Sequence, residues 1–509
     1  MTGWTLLRVM KSLQLFSPVH LFQLFCAWVQ HGSNLMMLLS FTASRSPEAK
    51  MLEVDGDVRT YQQMSREVMT LAKQLSEHYQ ISNQSRVALV CATDVRGIQS
   101  LFALSRLGAT VHLINPELSI SQLEDALQNG SFDLVIWGRE HDLPQGVACL
   151  ELDDVFELIQ ETEQLPDMSL RRTSSGPFVL ATGGTTGPSK LAPHQPAVGT
   201  YLKPLQTVIT AFQLLEKQVA FIATPLYHGY GLSLLFAFLA IGKPMILTKK
   251  FEVEKAAQLI EEHQVDFMNA VPLMVNRLVK AHPEKLKSLK CIACGGAELP
   301  APLIRLVQKK LGLLLYNLYG TTETGLNAIA TPEQLACHPA TIGTPLEGMV
   351  LKVLDASGKE VKSGELGEFH ISAQWSMQQN EAGLIPTGDV GYKDDKGLFY
   401  LTGRVDDRIV SGGENVYPAD VERLLMDHGE VVDVVVVSLD DAEFGQRLCA
   451  YVVSENPDLQ REDLYHWLEA RAARFQMPKE IHFVKEIPYT TLGKKDRKQL
   501  LTISKHSFS

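Results

Sequence analysis

The stretch RVALVCATDVRGIQSLFALSRLGATVHLIN, residues 86–115, sets two short apolar runs on either side of a helix-like segment. Strand, helix and strand in that order read as a βαβ unit on a largely parallel sheet. FDLVIWG (132–138) supplies the next strand, and the same punctuation returns at GPFVLA (176–181), QVAFIATP (218–225), DFMNAVP (266–272) and KCIACGGA (290–297). Each run breaks off into Gly, Pro or polar residues. Loops at the carboxyl ends of parallel strands are where ligands bind.

Beyond this alternating region the pattern changes twice. Between Gly343 and Leu401 come short strands parted by turns, LKVLDASGKEV, GELGEFHISA and GLFYLTGR, which predict a small β-rich subdomain. After Arg404 a separate α/β unit begins, with strands near VVDVVVVS and RLCAYVVS and helices near ADVERLLMDH and LYHWLEARAAR. The expected fold is therefore α/β: a large domain over 1–404, of parallel or mixed βαβ subdomains plus the β-rich piece, then a small α/β domain over 405–509. A length of 509 residues exceeds what a single ordinary core serves.

Composition narrows the function classes. With 45% hydrophobic and 21% charged residues the chain is neither disordered nor a multi-span membrane protein. A net charge of −11 and no concentrated basic face exclude nucleic acid as a partner. Seven scattered cysteines predict reduced thiols in a cytoplasmic protein. The one CxxC, Cys291 and Cys294, has no second pair at zinc-finger spacing, and residues three apart on a strand point to opposite faces. Two core thiols are the plainer reading.

The N-terminal segment, 1–45, contains no Asp, Glu, Lys or Arg between Ser12 and Ser44. Pro18, His20, Gln23, Gln30, His31 and Asn34 interrupt it well short of the ~20 apolar residues a membrane span requires. Buried helices are expected, with peripheral membrane contact through Phe22, Phe25 and Trp28 as the alternative.

Three segments carry chemistry. Thr182-Gly183-Gly184-Thr185-Thr186-Gly187-Pro188-Ser189-Lys190 follows an apolar strand directly. Its glycines let backbone N–H groups face an anion, its threonine hydroxyls add donors, and Lys190 adds a mobile positive charge. It is not a P-loop, since Pro188 and Ser189 separate the last glycine from the lysine. Tyr319-Gly320-Thr321-Thr322-Glu323 offers an aromatic for a purine, hydroxyls for phosphate and a carboxylate for Mg2+. Thr387-Gly388-Asp389 and Gly403-Arg404 offer an acceptor for ribose hydroxyls and a guanidinium for phosphate or ribose.

In this order these motifs resemble the adenylate-forming superfamily of acyl-CoA synthetases, firefly-type luciferases and peptide-synthetase adenylation domains, and acyl-CoA synthetases above all. The resemblance runs from about Pro47 to Leu500 and includes PLYHGYG (225–231), CGGAELP (294–300), GRVDDRIVSGGENVYPADVE (403–422) and LGKKDRKQL (492–500). It implies that ATP with Mg2+ activates a carboxylic acid as acyl-AMP, releasing pyrophosphate, and that a thiol then takes the acyl group. That thiol is coenzyme A, or alternatively the phosphopantetheine of an acyl carrier protein.

The resemblance also implies roles. Thr182 to Lys190, Thr185 and Thr186 among them, would hold the β- and γ-phosphates. Gly295, Gly296, Ala297 and Tyr319 would form the adenine pocket, with Thr322 on the α-phosphate and Glu323 on Mg2+, and Gly320 and Thr321 would belong to the same nucleotide-binding segment. Asp389 and Arg404 would grip the ribose. Lys494 would bridge the acyl carboxylate and α-phosphate, a role that suits a compact charge on a long stem. Asp406 matches the hinge about which a mobile small domain turns, and Ser411, Gly412 and Gly413 would line the thiol tunnel.

Some positions depart from the family. Ser189 stands where Pro is usual, Leu191 where Gly commonly follows the lysine, Leu492 before Gly493 in place of a small residue, and Ile371 to Pro386 is short. The segment after Thr224-Pro225 lacks the carboxylate that would bind an α-ammonium, so an amino acid is disfavoured. Tyr227 and His228 there look like those of fatty- or aryl-acyl-CoA synthetases, with His228 as substrate gate or, alternatively, a hydrogen-bonded core histidine. Leu232 to Ile241 lines an acyl tunnel or is simply a core helix. A catalytically silent nucleotide-binding protein is the reading from another class, and it has no use for Lys494.

Overall fold

A computed structural model describes residues 17–138, 147–160, 170–182, 190–194, 198–321, 324–373, 383–411, 414–441, 445–490, 493–497 and 499–500. The chain divides into two units, Met1–Asn269 with Glu284–Cys291, and Ala270–Pro283 with Ile292–Ser509.

In the first unit, Arg86–Cys91 lies parallel to Thr110–Ile114 on one side and Leu134–Gly138 on the other. The connecting helix, Val95–Leu107, is buried everywhere except Arg96. The Arg96 N–H donates to Asp94 Oδ1 at 2.9 Å, capping the helix start. Gly108 ends it at φ +81°, in the left-handed region where glycine carries no Cβ penalty. Cys149–Glu151 extends this sheet at one edge, and Phe178–Thr182 joins the other side in parallel. Lys190–His194 then pairs antiparallel to Phe178–Thr182, placing Lys190 opposite Thr182. The two ends of the glycine-rich motif thus meet across a ladder, while 183–189 lie outside the described residues.

A second sheet in this unit sets Ala220–Ile222 between Met245–Leu247 and Phe267–Ala270, all parallel. Lys50–Val54 adds in parallel, and Asp57–Thr60 closes the edge in antiparallel fashion. Helix Gly229–Ile241 is buried at nearly every position beyond Leu232, Ser233 and Phe236 excepted, so that run is a core helix.

The N-terminal segment splits in two. Helix Leu35–Arg45 is buried as expected, and Ala27 of helix Pro18–His31 packs with its Met37 and Phe41. The opposite face of Pro18–His31, with Val19, Leu21, Phe22, Phe25, Trp28 and Val29, is exposed. Burial therefore holds for one helix and for one side of the other. No described helix is long and apolar enough to cross a membrane.

In the second unit Cys291–Gly295 runs parallel to Leu315–Thr321 through its residues from Ile292 on. The strands after that are antiparallel: Gly325–Ala330, Thr341–Pro345, Phe399–Arg404, Ile385–Lys393, Gly367–Ala373 and Met349–Leu354, in spatial order. The β-rich character read between Gly343 and Leu401 is thus present. Further along, Val431–Asp441 pairs antiparallel with Gly445–Ser454, and Glu480–Phe483 joins the latter in parallel. Helices Pro418–Met426 and Arg461–Glu469 cover one side of this sheet, burying Val421, Leu425, Val434, Val436, Leu464 and Leu468. The alternating VVDVVVVS run explains the two-sided core, for its odd-numbered Val435 and Val437 pack on the other face with Cys449 and Tyr451.

Cys291 and Cys294 are both buried. Burial pushes the Cys291 thiol up to about 12 and the Cys294 thiol higher still, as befits core residues.

Candidate active site

Asp389 and Arg404 are register partners on adjacent antiparallel strands, so their side chains emerge on the same face. The Arg404 guanidinium donates to Asp389 Oδ1 at 3.3 Å. From a third strand, Leu315–Thr321, the Tyr319 hydroxyl donates to Asp389 Oδ2 at 2.6 Å. Asp389 is 7% exposed, so its charge is nearly desolvated, and the short Tyr319 bond is the stronger of the two, the Arg404 guanidinium being half exposed. Burial first, and then the Asp389 carboxylate, drive the Tyr319 hydroxyl far above the ordinary tyrosine range. It stays a donor at every working pH.

The irregular stretch of strand Ile385–Lys393 before Asp389 is fixed in detail. Thr387 Oγ1 donates to the Phe369 carbonyl at 3.0 Å and accepts from the Asp389 N–H at 3.1 Å. Between them Gly388 sits at φ +72° and its N–H donates to Glu368 Oε1 at 3.2 Å. Phe369 stands edge-on to Tyr319 with centroids 5.9 Å apart, holding the phenol ring in place.

The Tyr319 strand turns back at Thr321, which pairs with Gly325. Thr321 and Thr324 hydroxyls meet at 2.8 Å, and the Thr324 N–H donates to Thr321 Oγ1 at 3.2 Å. Thr322 and Glu323, at the tip, lie outside the described residues. So do Gly183, Gly184, Thr185, Thr186 and Gly187, and the side chains of Thr182 and Lys190.

Gly295 ends its strand, and Gly296 follows at φ +85° with an exposed backbone. A Cβ added there would lie 3.5 Å from Val271 Cγ1. The same valine meets the lysine turn: a Cβ on Gly493, at φ +67°, would come 2.7 Å from Val271 Cγ2. Val271 immediately precedes helix Pro272–Ala281. One side chain therefore touches both the CGGA motif and the turn that bears Lys494, bringing together two segments about 200 positions apart along the sequence.

That turn is closed by its own backbone. The Gly493 N–H donates to the Thr490 carbonyl and the Thr490 N–H to the Lys494 carbonyl, each at 2.8 Å. Gly493 is buried while Lys494 is exposed.

Sequence reasoning missed the group that anchors it. Glu422, on helix Pro418–Met426, is buried and accepts from Lys495 Nζ at 3.2 Å, Arg497 at 2.9 Å and the Val436 N–H at 2.9 Å. Burial alone would raise its carboxyl, but the Lys495 and Arg497 charges outweigh that and hold it below the ordinary range. Arg497 also reaches Asp407 at 3.2 Å, and Lys495 donates to the Val434 carbonyl at 2.6 Å. The available signal was Glu422 closing the long 403–422 motif, with Lys495 and Arg497 following Lys494 in the last.

Asp406 is exposed in the short connection between Phe399–Arg404 and Ile409–Ser411. Ser411 pairs with Glu414 across a hairpin whose tip, Gly412 and Gly413, lies outside the described residues. In the first unit the His228 ring stands edge-on to Tyr227 at 4.5 Å, at the start of helix Gly229–Ile241.

Residues 39–379 match the AMP-binding enzyme family, and 420–494 match the AMP-binding enzyme C-terminal domain. A 2-succinylbenzoate–CoA ligase of Bacillus licheniformis is 30% identical over 474 residues, covering 89% of this chain and 96% of the relative. The same-named ligase of Bacillus subtilis is 26% identical over 471 residues, covering 90% and 96%. Among solved structures, o-succinylbenzoate CoA synthetase from Bacillus subtilis with its acyl-adenylate intermediate aligns at a TM-score of 0.81 and 25% identity, over 91% of this chain and 97% of that one. ATP-bound MatB from Rhodopseudomonas palustris aligns at 0.80 and 23%, over 93% and 99%, a likeness of fold.

Proposed function

From the premise that the chain belongs to the AMP-binding enzyme family, we propose that it is an acid–thiol ligase. It joins a carboxylic acid to AMP at the expense of ATP and passes the acyl group to coenzyme A. The observation that carries this reading is the buried Asp389 carboxylate, held between the Tyr319 hydroxyl and the Arg404 guanidinium with its backbone N–H bonded to Thr387. Such a nearly desolvated acceptor, set within strand Ile385–Lys393, suits a ribose diol, which brings two hydroxyl donors.

In the first step a carboxylate oxygen of the acid attacks the α-phosphorus of ATP and pyrophosphate leaves. Negative charge builds on the α-phosphoryl oxygens, where Lys494 adds its ammonium. Gly295, Gly296 and Ala297 provide a flat backbone wall for adenine beside Tyr319, and the Thr182 to Lys190 segment receives the departing phosphates. The hydroxyl of Thr322 is a donor for the α-phosphate, and the carboxylate of Glu323 is a hard oxygen ligand of the kind Mg2+ prefers. That ion would neutralise triphosphate charge.

In the second step the thiol of coenzyme A, losing its proton, attacks the acyl carbonyl and AMP departs. Lys494 must leave for the thiol to enter. We place the domain boundary at Arg404 and Val405, with Asp406 as the hinge and Ser411 to Gly413 along the thiol path. A few residues absorbing φ/ψ change suffice for such a turn.

The acid is proposed to be aryl or fatty, since PLYHGYG offers no carboxylate to an α-ammonium and the two Bacillus relatives named above are 2-succinylbenzoate–CoA ligases. A carrier-protein phosphopantetheine is the alternative acceptor, and a cytoplasmic setting fits cysteines that form no disulfide. The test is pyrophosphate release over 2-succinylbenzoate, benzoates, fatty acids and amino acids, with and without coenzyme A. The reading expects release with an aryl or fatty acid and a thioester only when a thiol is present. Silence across the panel contradicts it.

A further inference from the structure

Helix Pro18–His31 is apolar on the side that faces water. At about 100° per residue, Val19, Leu21, Phe22, Phe25, Cys26, Trp28 and Val29 share a single half of its circumference, and all are exposed. Phe22 is 66% exposed, Val19 62% and Phe25 57%. The other half holds buried Ala27 and His31 and packs on the following helix through Ala27, Met37 and Phe41. An ordinary surface helix is polar where this one is apolar.

Charge says what covers the face. The first 45 residues contain Arg8, Lys11 and Arg45 and no acidic residue, a local balance of +3 in a chain whose net charge is −11. Exposed Arg171 and Arg172 adjoin the helix, and the Arg172 guanidinium lies over the Trp28 ring at 3.8 Å from its centroid. Aromatic and aliphatic side chains beside arginines, with no carboxylate on the described helix Pro18–His31 or in residues 170–173, complement the boundary between acyl chains and anionic headgroups. Arginine stacked on an indole is poised at the headgroup level, where tryptophan itself settles.

We infer that helix Pro18–His31 is an interfacial anchor that docks the protein on the surface of a membrane containing anionic lipid. The apolar half enters the headgroup boundary, and Arg171 and Arg172 meet lipid phosphate beside it. This gives a partner to a surface outside the nucleotide site and stands or falls apart from the ligase reading.

The test is co-sedimentation of the full chain with vesicles of phosphatidylcholine alone and with one-third phosphatidylglycerol, for wild type, Phe22→Glu/Phe25→Glu and Arg171→Glu/Arg172→Glu. Acid-dependent pyrophosphate release, or circular dichroism if there is none, confirms that the variants fold. Wild type is expected to bind the anionic vesicles at least tenfold more tightly than the neutral ones. The phenylalanine variant should lose binding at least tenfold on both, and the arginine variant chiefly on the anionic ones. Failure of wild type to bind, or equal binding by folded variants, overturns the inference. So does a concentration-dependent dimer abolished by the phenylalanine changes, which would assign the face to a second copy of the chain.

Discussion

Tyr319→Phe removes one oxygen and leaves the ring, its edge contact with Phe369 and the strand unchanged. What disappears is the 2.6 Å hydrogen bond to Asp389, a short bond to an ionised acceptor in a nearly desolvated place. Bonds to charged groups are worth about 1.5–3 kcal/mol, and at 1.4 kcal/mol per decade that is roughly 10- to 150-fold in an equilibrium constant. Urea denaturation should therefore show a loss of about 1.5–3 kcal/mol with an unchanged m-value. Nucleotide affinity, read by calorimetry with ATP, should weaken by up to the same factor, because Asp389 would no longer be oriented. Tyr400→Phe is the control: its hydroxyl donates to Asp394 at 3.1 Å in a more exposed setting, so its effect on both quantities should be smaller. Equal effects from the two variants, or an unaltered Tyr319→Phe protein, would refute the idea that this hydroxyl fixes the ribose acceptor.

Other expectations concern the terminal domain. Glu422→Ala removes the buried partner of two part-buried charges, Lys495 and Arg497; a fully buried ion pair that loses one partner costs about 3–5 kcal/mol, and with these cations partly solvated the loss should be smaller, though thermal unfolding should still start below wild type. Burial first, and then Glu298, raise the Asp420 carboxyl to about 6 against the opposing pull of Arg423. The folded state thus holds this proton more tightly than the unfolded chain, and the stability it lends is lost as pH rises through about 6. Asp420→Asn should consequently gain in melting temperature relative to wild type between about pH 4 and 6 and keep that gain at higher pH, and a difference that stays constant from about pH 4 to 7 would count against the assignment. Asp406→Pro should slow thioester formation more than pyrophosphate release, with both rates measured on the same preparation.

Much of this was legible because it is local. Alternation in residues 86–115 gave the strand, helix and strand, and the turn residues around Gly388 and Gly493 stood out as glycines, both at positive φ in the structure. The pairing of Asp389 with Arg404 was not legible, since register depends on a bulge between Val390 and Gly391 that no sequence pattern marks. Nor was the Tyr319–Asp389 bond, which joins strands that are not neighbours in the sheet. Glu422 escaped because buried charge is recognised by its partners, and those lie more than 70 positions away. The helix Pro18–His31 misled for the opposite reason: apolar residues predict burial by default, and composition cannot say which half of a circumference finds a protein partner.

The claim on which all else depends is that Lys494 acts in adenylation and not in the transfer to thiol. Lys494→Ala should be assayed separately for acid-dependent ATP–pyrophosphate exchange and for thioester formation from supplied acyl-AMP and coenzyme A. The account predicts exchange lowered by a hundredfold or more, on the order of one lost charge contact at the transition state, with the second reaction close to wild type. Equal loss of both, or exchange left intact, would contradict it.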